Sequence, residues 1–211
     1  MSHPAARLAV LPLLLCALSV TAAPDEGFTP LLQGDDLSAF ELVGIGPETV
    51  SASQGEIRLA GKRKGYVATR SSYKNYTLRF DWRYERPKDY KDGDPFYGNS
   101  GLIVHIQGPS QVWPRCIEVQ VWHKKEYGTF YTLGGGKFSP KRDEHEQLGH
   151  VLKPIGEWNR HEVTCRDGTI TVTVNDIAIA SGCDADPDHG RIGWMSEDGP
   201  IRFRNLRIKS L

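Results

Sequence analysis

The ten residues YTLRFDWRYE, positions 76–85, alternate without a break. Leu78, Phe80, Trp82 and Tyr84 fall on one side of the alternation, Arg79, Asp81, Arg83 and Glu85 on the other. Successive side chains of a strand point to opposite faces, so this period predicts a strand with one buried and one wet face. Shorter stretches repeat the theme. GEIRLAG and GYVATR read as strands bounded by glycine, and RHEVTCRDGTITVTVNDIAIASG reads as two hairpins in series. Their turns are Asp167-Gly168 and Asn175-Asp176, with β-branched residues between. PIRFRNLRIKSL is a closing strand. Helical periods are scarce, and no internal repeat or low-complexity linker interrupts the pattern. Many short strands separated by glycine and proline predict an all-β sandwich or barrel. Residues 85–98 and 133–157 read as two long loops, either solvated excursions or functional rims.

The first residues read differently. In MSHPAARLAVLPLLLCALSVTAAPDEG, Arg7 precedes an apolar run from Leu8 to Val20, followed by Thr21, Ala22 and Ala23. This is the pattern of a secretory signal peptide over residues 1–22, with cleavage after Ala22. The run is short for a membrane span, which takes about 20 apolar residues. Leu15 before Cys16 argues against a lipid-modified cysteine. The expected product is one exported domain, residues 23–211, periplasmic or secreted. The chain carries 26 Lys and Arg against 26 Asp and Glu. Such a balance lacks the basic footprint of a nucleic-acid binder. Export permits a disulfide among Cys116, Cys165 and Cys183, but the odd number leaves a thiol free. A buried Cys165 serving as a small apolar side chain is the plainer reading.

Residues 99–123, NSGLIVHIQGPSQVWPRCIEVQVWH, hold the candidate site. Alternation puts Leu102, Val104 and Ile106 on one face of the first run and Ile103, His105 and Gln107 on the other. In the second run Ile117, Val119 and Val121 oppose Glu118, Gln120 and Trp122. Paired strands would gather His105, Glu118, Gln120 and Trp122 into a polar patch with an indole platform. A carboxylate and an amide bind hydroxyls directionally and an indole stacks on a sugar ring. The same pattern also suits a solvated outer sheet face.

Five blocks in order, FTPLLQGDDLSAFELVG, NSGLIVHIQG, CIEVQVW, KPIGEWNRHEVTCRDGTITVTVND and GRIGWMSEDGPIRFRNLRI, resemble the 3-keto-disaccharide hydrolase family. The resemblance runs from Phe28 to Leu211. It implies a concanavalin A-like jelly-roll sandwich of two antiparallel sheets with a concave ligand face, acting on glycosides whose sugar is a ketone at C3. The matching positions are Asn99, Ser100, Gly101, Glu118, Gln120, Glu197 and the Arg204-Asn205 pair. His105 stands where the family often has Arg, and His123 where Asp is common.

Sandwich glucanases of this fold carry Glu, Asp and Glu in alternation on one strand; here that strand has Glu118, Gln120 and Trp122. Ordinary glycoside hydrolysis needs two carboxylates, and Asp81 or Glu197 is a candidate second acid. A 3-keto sugar changes the requirement, because the ketone acidifies the C2 proton and the glycosidic oxygen lies β to the carbonyl. Glu118 is then expected as base or acid, with His105 or Arg115 as electrophilic partner. Asn99 and Gln120 would bind hydroxyls, Trp113 or Trp122 would stack on the sugar, and Arg115 and Glu197 would contact substrate. His145 and His150 read as exposed loop residues, and Trp158 as a core or hinge aromatic. The sequence requires no cofactor; a calcium ion held by Asp92 and Asp94 would suit the fold. The expected partner is a carbohydrate or keto-sugar, with no nucleic acid and no membrane span. Two classes of function remain at this level: a glycoside-cleaving enzyme and a non-catalytic carbohydrate-binding module.

Overall fold

The computed structural model describes residues 26–122, 127–143 and 148–211. His123, His145 and the leader-like residues 1–22 lie outside them. In chain order the strands are β1 (Thr29–Pro30), β2 (Phe40–Val43), β3 (Val50–Ser53), β4 (Glu56–Leu59), β5 (Gly65–Thr69), β6 (Tyr76–Tyr84), β7 (Gly101–Gln107) and β8 (Arg115–Gln120). They continue as β9 (Phe130–Leu133), β10 (Lys137–Asp143), β11 (Asn159–Arg166), β12 (Thr169–Val174), β13 (Ile177–Asp186), β14 (Arg191–Ser196) and β15 (Ile201–Ser210), with one helical turn, α1 (Leu148–Val151), before β11.

β6 is the spine of a nine-stranded antiparallel sheet ordered β10-β13-β12-β11-β6-β15-β4-β3, with β1 on the edge of β15. Its alternation is realised as expected: Leu78, Phe80, Trp82 and Tyr84 are buried, and the intervening polar residues are half-buried. Those polar residues form ion pairs across strands, Arg79 with Glu162 and Asp81 with Arg204. A six-stranded sheet, β2-β5-β14-β7-β8-β9, packs against the nine-stranded one. The core between them is aromatic. Trp82 stacks on Tyr127 with ring centroids 5.5 Å apart, and Phe80 meets Trp194 edge-on at 6.0 Å. Burying rings of this size gives the sandwich most of its stabilisation.

The two hairpins of β11–β13 turn where the sequence places them. Asp167 and Gly168, and likewise Asn175 and Asp176, all have positive φ, as a two-residue turn matched to strand twist requires. Residues 85–98 form a loop, anchored by the buried ring of Phe96 against Tyr84 at 5.1 Å. The expectation of a loop over 133–157 is corrected. Lys137–Asp143 is strand β10, hydrogen-bonded to β13 at the sheet edge with two register shifts. Trp158 is not a core aromatic: it lies on the outer face of the large sheet between the guanidinium groups of Arg83 and Arg204, 4.4 and 4.0 Å from its centroid. Cys116 and Cys165 are buried and Cys183 is half-buried, all as free thiols.

Candidate functional site

The outer face of the six-stranded sheet carries a second apolar cluster, separate from the core. It comprises Val43, Tyr66, Ala68, Ile103, Ile106, Cys116 and Met195. Register explains the set. Ile103 sits opposite Gly193 on one side and Glu118 on the other, and Tyr66 sits opposite Met195. The β7–β8 connection folds back over this floor. The Tyr66 hydroxyl donates to the Gln111 carbonyl at 3.1 Å, and Ser110 Oγ meets Arg191, which pairs with Glu41. Val112 presses on Gly44, where a Cβ would come within 2.4 Å of the valine methyl. The loop thus covers one part of the face and ends at Trp113.

What stays open is a cavity of about 390 Å³ lined by Asn99, Trp113, Glu118, Gln120, Tyr131, Leu133 and Glu197. Five residues expected from the sequence therefore converge: Asn99, Trp113, Glu118, Gln120 and Glu197. Glu118 sits centrally on β8, between Ile103 of β7 and Tyr131 of β9. Its side chain fills the space above Gly101, where a Cβ would lie 2.3 Å from Oε1. Burial, with the nearby Glu197 carboxylate, pushes the Glu118 carboxyl up to about 8. Glu197 follows the end of β14 and is also raised by burial, with Lys64 acting in the opposite sense and Asp198 in the same one.

The NSG block builds this corner. Asn99 exchanges backbone hydrogen bonds with Asp198 at 2.8 and 3.0 Å, which ties β7 to the Glu197 segment. The Ser100 hydroxyl donates to the Met195 carbonyl at 2.8 Å. Gly101 leaves room for Glu118. Asn99 Oδ1 is buried and accepts no hydrogen bond from the described residues. Gln120 Oε1 accepts from the Val121 amide at 3.0 Å, which fixes the side-chain amide. An unpartnered acceptor, a protonated carboxyl and an exposed indole suit a ligand rich in hydroxyl groups.

Three expected residues are not in the cavity. His105 has φ of 60°, and the β7–β8 and β7–β14 registers both shift around it. The bulge reverses the alternation: His105 turns inward, edge-on to Tyr76 at 6.1 Å, while Ile106 joins Ile103 on the outer face. His105 Nδ1 donates to the Pro187 carbonyl at 2.9 Å, and burial lowers its pKa to about 4. It is a neutral core residue, and its expected electrophilic role is withdrawn. Arg115 pairs with Asp186 of β13 and does not line the cavity. Trp122 follows the end of β8 and also lies outside the lining.

Asp81, Arg204 and Asn205 belong to the opposite sheet. Asp81 Oδ2 accepts from Arg204 Nε at 3.1 Å and from Asn205 Nδ2 at 2.7 Å, far from Glu118 in the topology. Asp81 is therefore not the second acid of this cavity. In loop 85–98 Asp92 pairs with Arg86 at 2.8 Å, and Asp94 accepts the Lys91 amide at 2.7 Å. Among the described residues no three His, Cys, Asp or Glu side chains cluster as metal ligands. Tyr131 and Lys64 are functional candidates that the sequence reading missed. Tyr131 lines the cavity, and the Lys64 ammonium stands 6.0 Å from the Trp113 centroid. Neither lies in a recognisable motif: the β8–β9 pairing brings Tyr131 in, and Lys64 comes from the turn before β5.

The two packed antiparallel sheets, with an acidic, aromatic-rimmed cavity on the outer face of the smaller one, form a jelly-roll sandwich of the concanavalin A-like fold. The chain belongs to the family of the 3-keto-alpha-glucoside-1,2-lyase-like domain, whose model matches residues 27–209. A candidate glycosyl hydrolase from Parabacteroides distasonis is 21% identical, with a TM-score of 0.65 over 88% of this chain and 94% of that one. A carbohydrate-binding module from Bacillus subtilis, 10% identical, reaches a TM-score of 0.58 over 83% of this chain and 98% of that one. Winged bean acidic lectin, complexed with methyl-alpha-D-galactose, is 10% identical with a TM-score of 0.54 over 84% and 94%. At these identities the likeness is one of fold. A comparison with curated proteins finds no match.

Proposed function

We propose that the protein is an exported enzyme that cleaves the glycosidic bond of 3-keto-glycosides. The observation that carries this reading is the pair of buried carboxyl groups, Glu118 and Glu197, in one cavity beside an exposed indole. Family membership supports the substrate class, and the leader-like residues 1–22 support export.

Two neighbouring carboxyl groups in different surroundings divide acid from base work: burial raises both, and Lys64 opposes the rise at Glu197 alone. Glu118, at about 8, carries a proton at neutral pH. The Glu197 carboxylate removes the C2 proton, which the C3 ketone has made acidic. The electrons of the C2–H bond form the C1–C2 double bond, and the C1–O bond breaks. The departing oxygen takes the proton of Glu118. Adding water across the double bond, hydrogen to C2 and hydroxyl to C1, then completes net hydrolysis. Asn99 and Gln120 hold hydroxyl groups and Trp113 carries the ring.

Glu118→Gln and Glu197→Gln, assayed with a 3-keto-glucoside against the plain glucoside, are expected to lose about 100-fold or more in kcat. Full activity in either variant would remove that residue from the mechanism. The likeness to a carbohydrate-binding module favours a second reading, binding without turnover. In that case the wild-type protein yields no product, and Glu118→Gln alters affinity alone.

A further inference from the structure

β8 ends on Gln120, a side chain 6% exposed that lines the cavity together with Glu118. Its amide is not free to turn. A backbone N–H can only donate, so the end of the side chain that meets the Val121 amide at 3.0 Å is the oxygen, Oε1. An NH2 group there would set donor against donor. The nitrogen, Nε2, is therefore the end presented to the cavity. Asn99 differs: its Oδ1 has no partner among the described residues to fix the amide. Register completes the picture. The Cα partner of Gln120 on β7 is Gly101, the residue whose missing side chain makes room for Glu118. Two positions before Gly101, Asn99 is bonded to Asp198, next to Glu197. A fixed amide donor, the acid and the base thus border one space.

We propose that Gln120 is a catalytic residue: Nε2 donates to the C3 carbonyl oxygen of the substrate and stabilises the charge that collects there as Glu197 takes the C2 proton. The proposal rests on the reading of the site as one for 3-keto-glycosides. His105 and Arg115 lie outside the cavity, so the electrophilic partner comes from its actual lining. As the C2–H bond breaks, its electrons form a C2–C3 double bond and the carbonyl pair moves onto the C3 oxygen. That oxygen then returns the pair. The carbonyl re-forms, C1–C2 becomes double, and the C1–O bond breaks as the leaving oxygen takes the Glu118 proton. Gln120 keeps its own protons throughout. One negative charge passes from Glu197 through the C3 oxygen to Glu118, and no second charge enters the site, so a neutral dipole suffices. A donor fixed before the reaction costs no reorganisation, and in a site this buried it acts more strongly than in water. A plain sugar offers a hydroxyl at the same point, where no charge develops. Gln120 therefore selects the ketone in turnover more than in binding.

Gln120→Met keeps the length of the side chain and removes the donor. The Val121 amide still donates to the Ser100 carbonyl at 2.9 Å, so no backbone group is orphaned. With a 3-keto-glucoside, kcat is expected to fall about 100-fold in this variant, KM to change less, and deuterium at C2 to slow it further. A nitrophenyl leaving group, which departs without a proton, is expected to restore Glu118→Gln and not Gln120→Met. A second readout needs no turnover. In Glu197→Gln, the C3 resonance of a bound 3-keto-glucoside labelled with carbon-13 is expected downfield of its position in the double variant that also carries Gln120→Met. If wild type cleaves the 3-keto-glucoside, an unchanged kcat in Gln120→Met, its rescue by the nitrophenyl group, or a C3 resonance indifferent to residue 120 overturns the proposal alone. A wild-type protein that cleaves no 3-keto-glucoside, or the plain glucoside as fast, refutes the reading of the site and this proposal with it.

Discussion

Each residue of Asn99-Ser100-Gly101 answers to a different constraint. Asn99 presents an unpartnered oxygen, Ser100 ties β7 to β14, and Gly101 gives up its side chain so that Glu118 can lie flat. The last is the most sharply testable. A methyl group at position 101 would meet Glu118 Oε1 at 2.3 Å and Met195 Sδ at 2.7 Å. Gly101→Ala is expected to push the carboxyl outward into water, lowering its pKa toward the ordinary range and cutting kcat at least tenfold. Steady-state kinetics and a Glu118 titration measure both. A variant that folds with both unchanged would show that Glu118 does not need this pose. Glu118, Gln120, Asn99 and Glu197 were legible because they sit in blocks with a recognisable pattern, and Trp113 because its loop joins two of those blocks. Lys64 and Tyr131 were not, since they come from a turn and a strand outside those blocks, and only the fold unites them.

At the scale of elements, regular alternation was readable and its interruptions were not. β6 follows its sequence period from end to end. β7 follows its period only to Val104, where one residue with positive φ reverses the faces and carries His105 into the core. Nothing in GLIVHIQ marks that bulge, because Leu102, Val104 and Ile106 read as one unbroken apolar face. β10 escaped notice for another reason: KFSPKRD holds a proline and three cations, a composition tolerated at a sheet edge and poor in the middle. The β7–β8 loop caps the outer face and delivers Trp113, the stacking candidate of the sequence. Its docking point is Gly44, whose φ is 73° and whose missing Cβ admits Val112. Gly44→Ala is expected to lift the loop, so that amides of residues 109–114 exchange faster than those of β7 and β8, with KM rising about tenfold as the stacking platform loosens. Exchange that quickens uniformly across the sheet would mean plain destabilisation and no specific docking.

For the whole molecule, the site and the core set opposite pH dependences on one stability curve. His105 and His161 are buried and neutral, with pKa values lowered by burial to about 4 and about 3. Unfolding frees them to take protons near their ordinary value of about 6.5, so the folded state loses ground as pH falls below that. Glu85, held near 2 by Arg58 and Arg202, adds to the loss below about pH 4.5. Glu118 works the other way. Its folded value of about 8 lies above the ordinary 4.5, so the folded state binds the extra proton between those limits. Stability from this group is present below pH 4.5 and declines as pH rises through 8. Two histidines outweigh one glutamate below about pH 6.5, and the glutamate prevails above it, so stability is expected to peak between about pH 6 and 7. Thermal melting from pH 4 to 9 should therefore fall on both sides of that maximum. In Glu118→Gln the alkaline decline should flatten by as much as a few kcal/mol at pH 9, while the acid side stays as it was. A wild-type melting temperature that kept rising from pH 7 to 9 would mean that Glu118 is ionised in the folded protein, and with it the division of labour between the two carboxyl groups would fall.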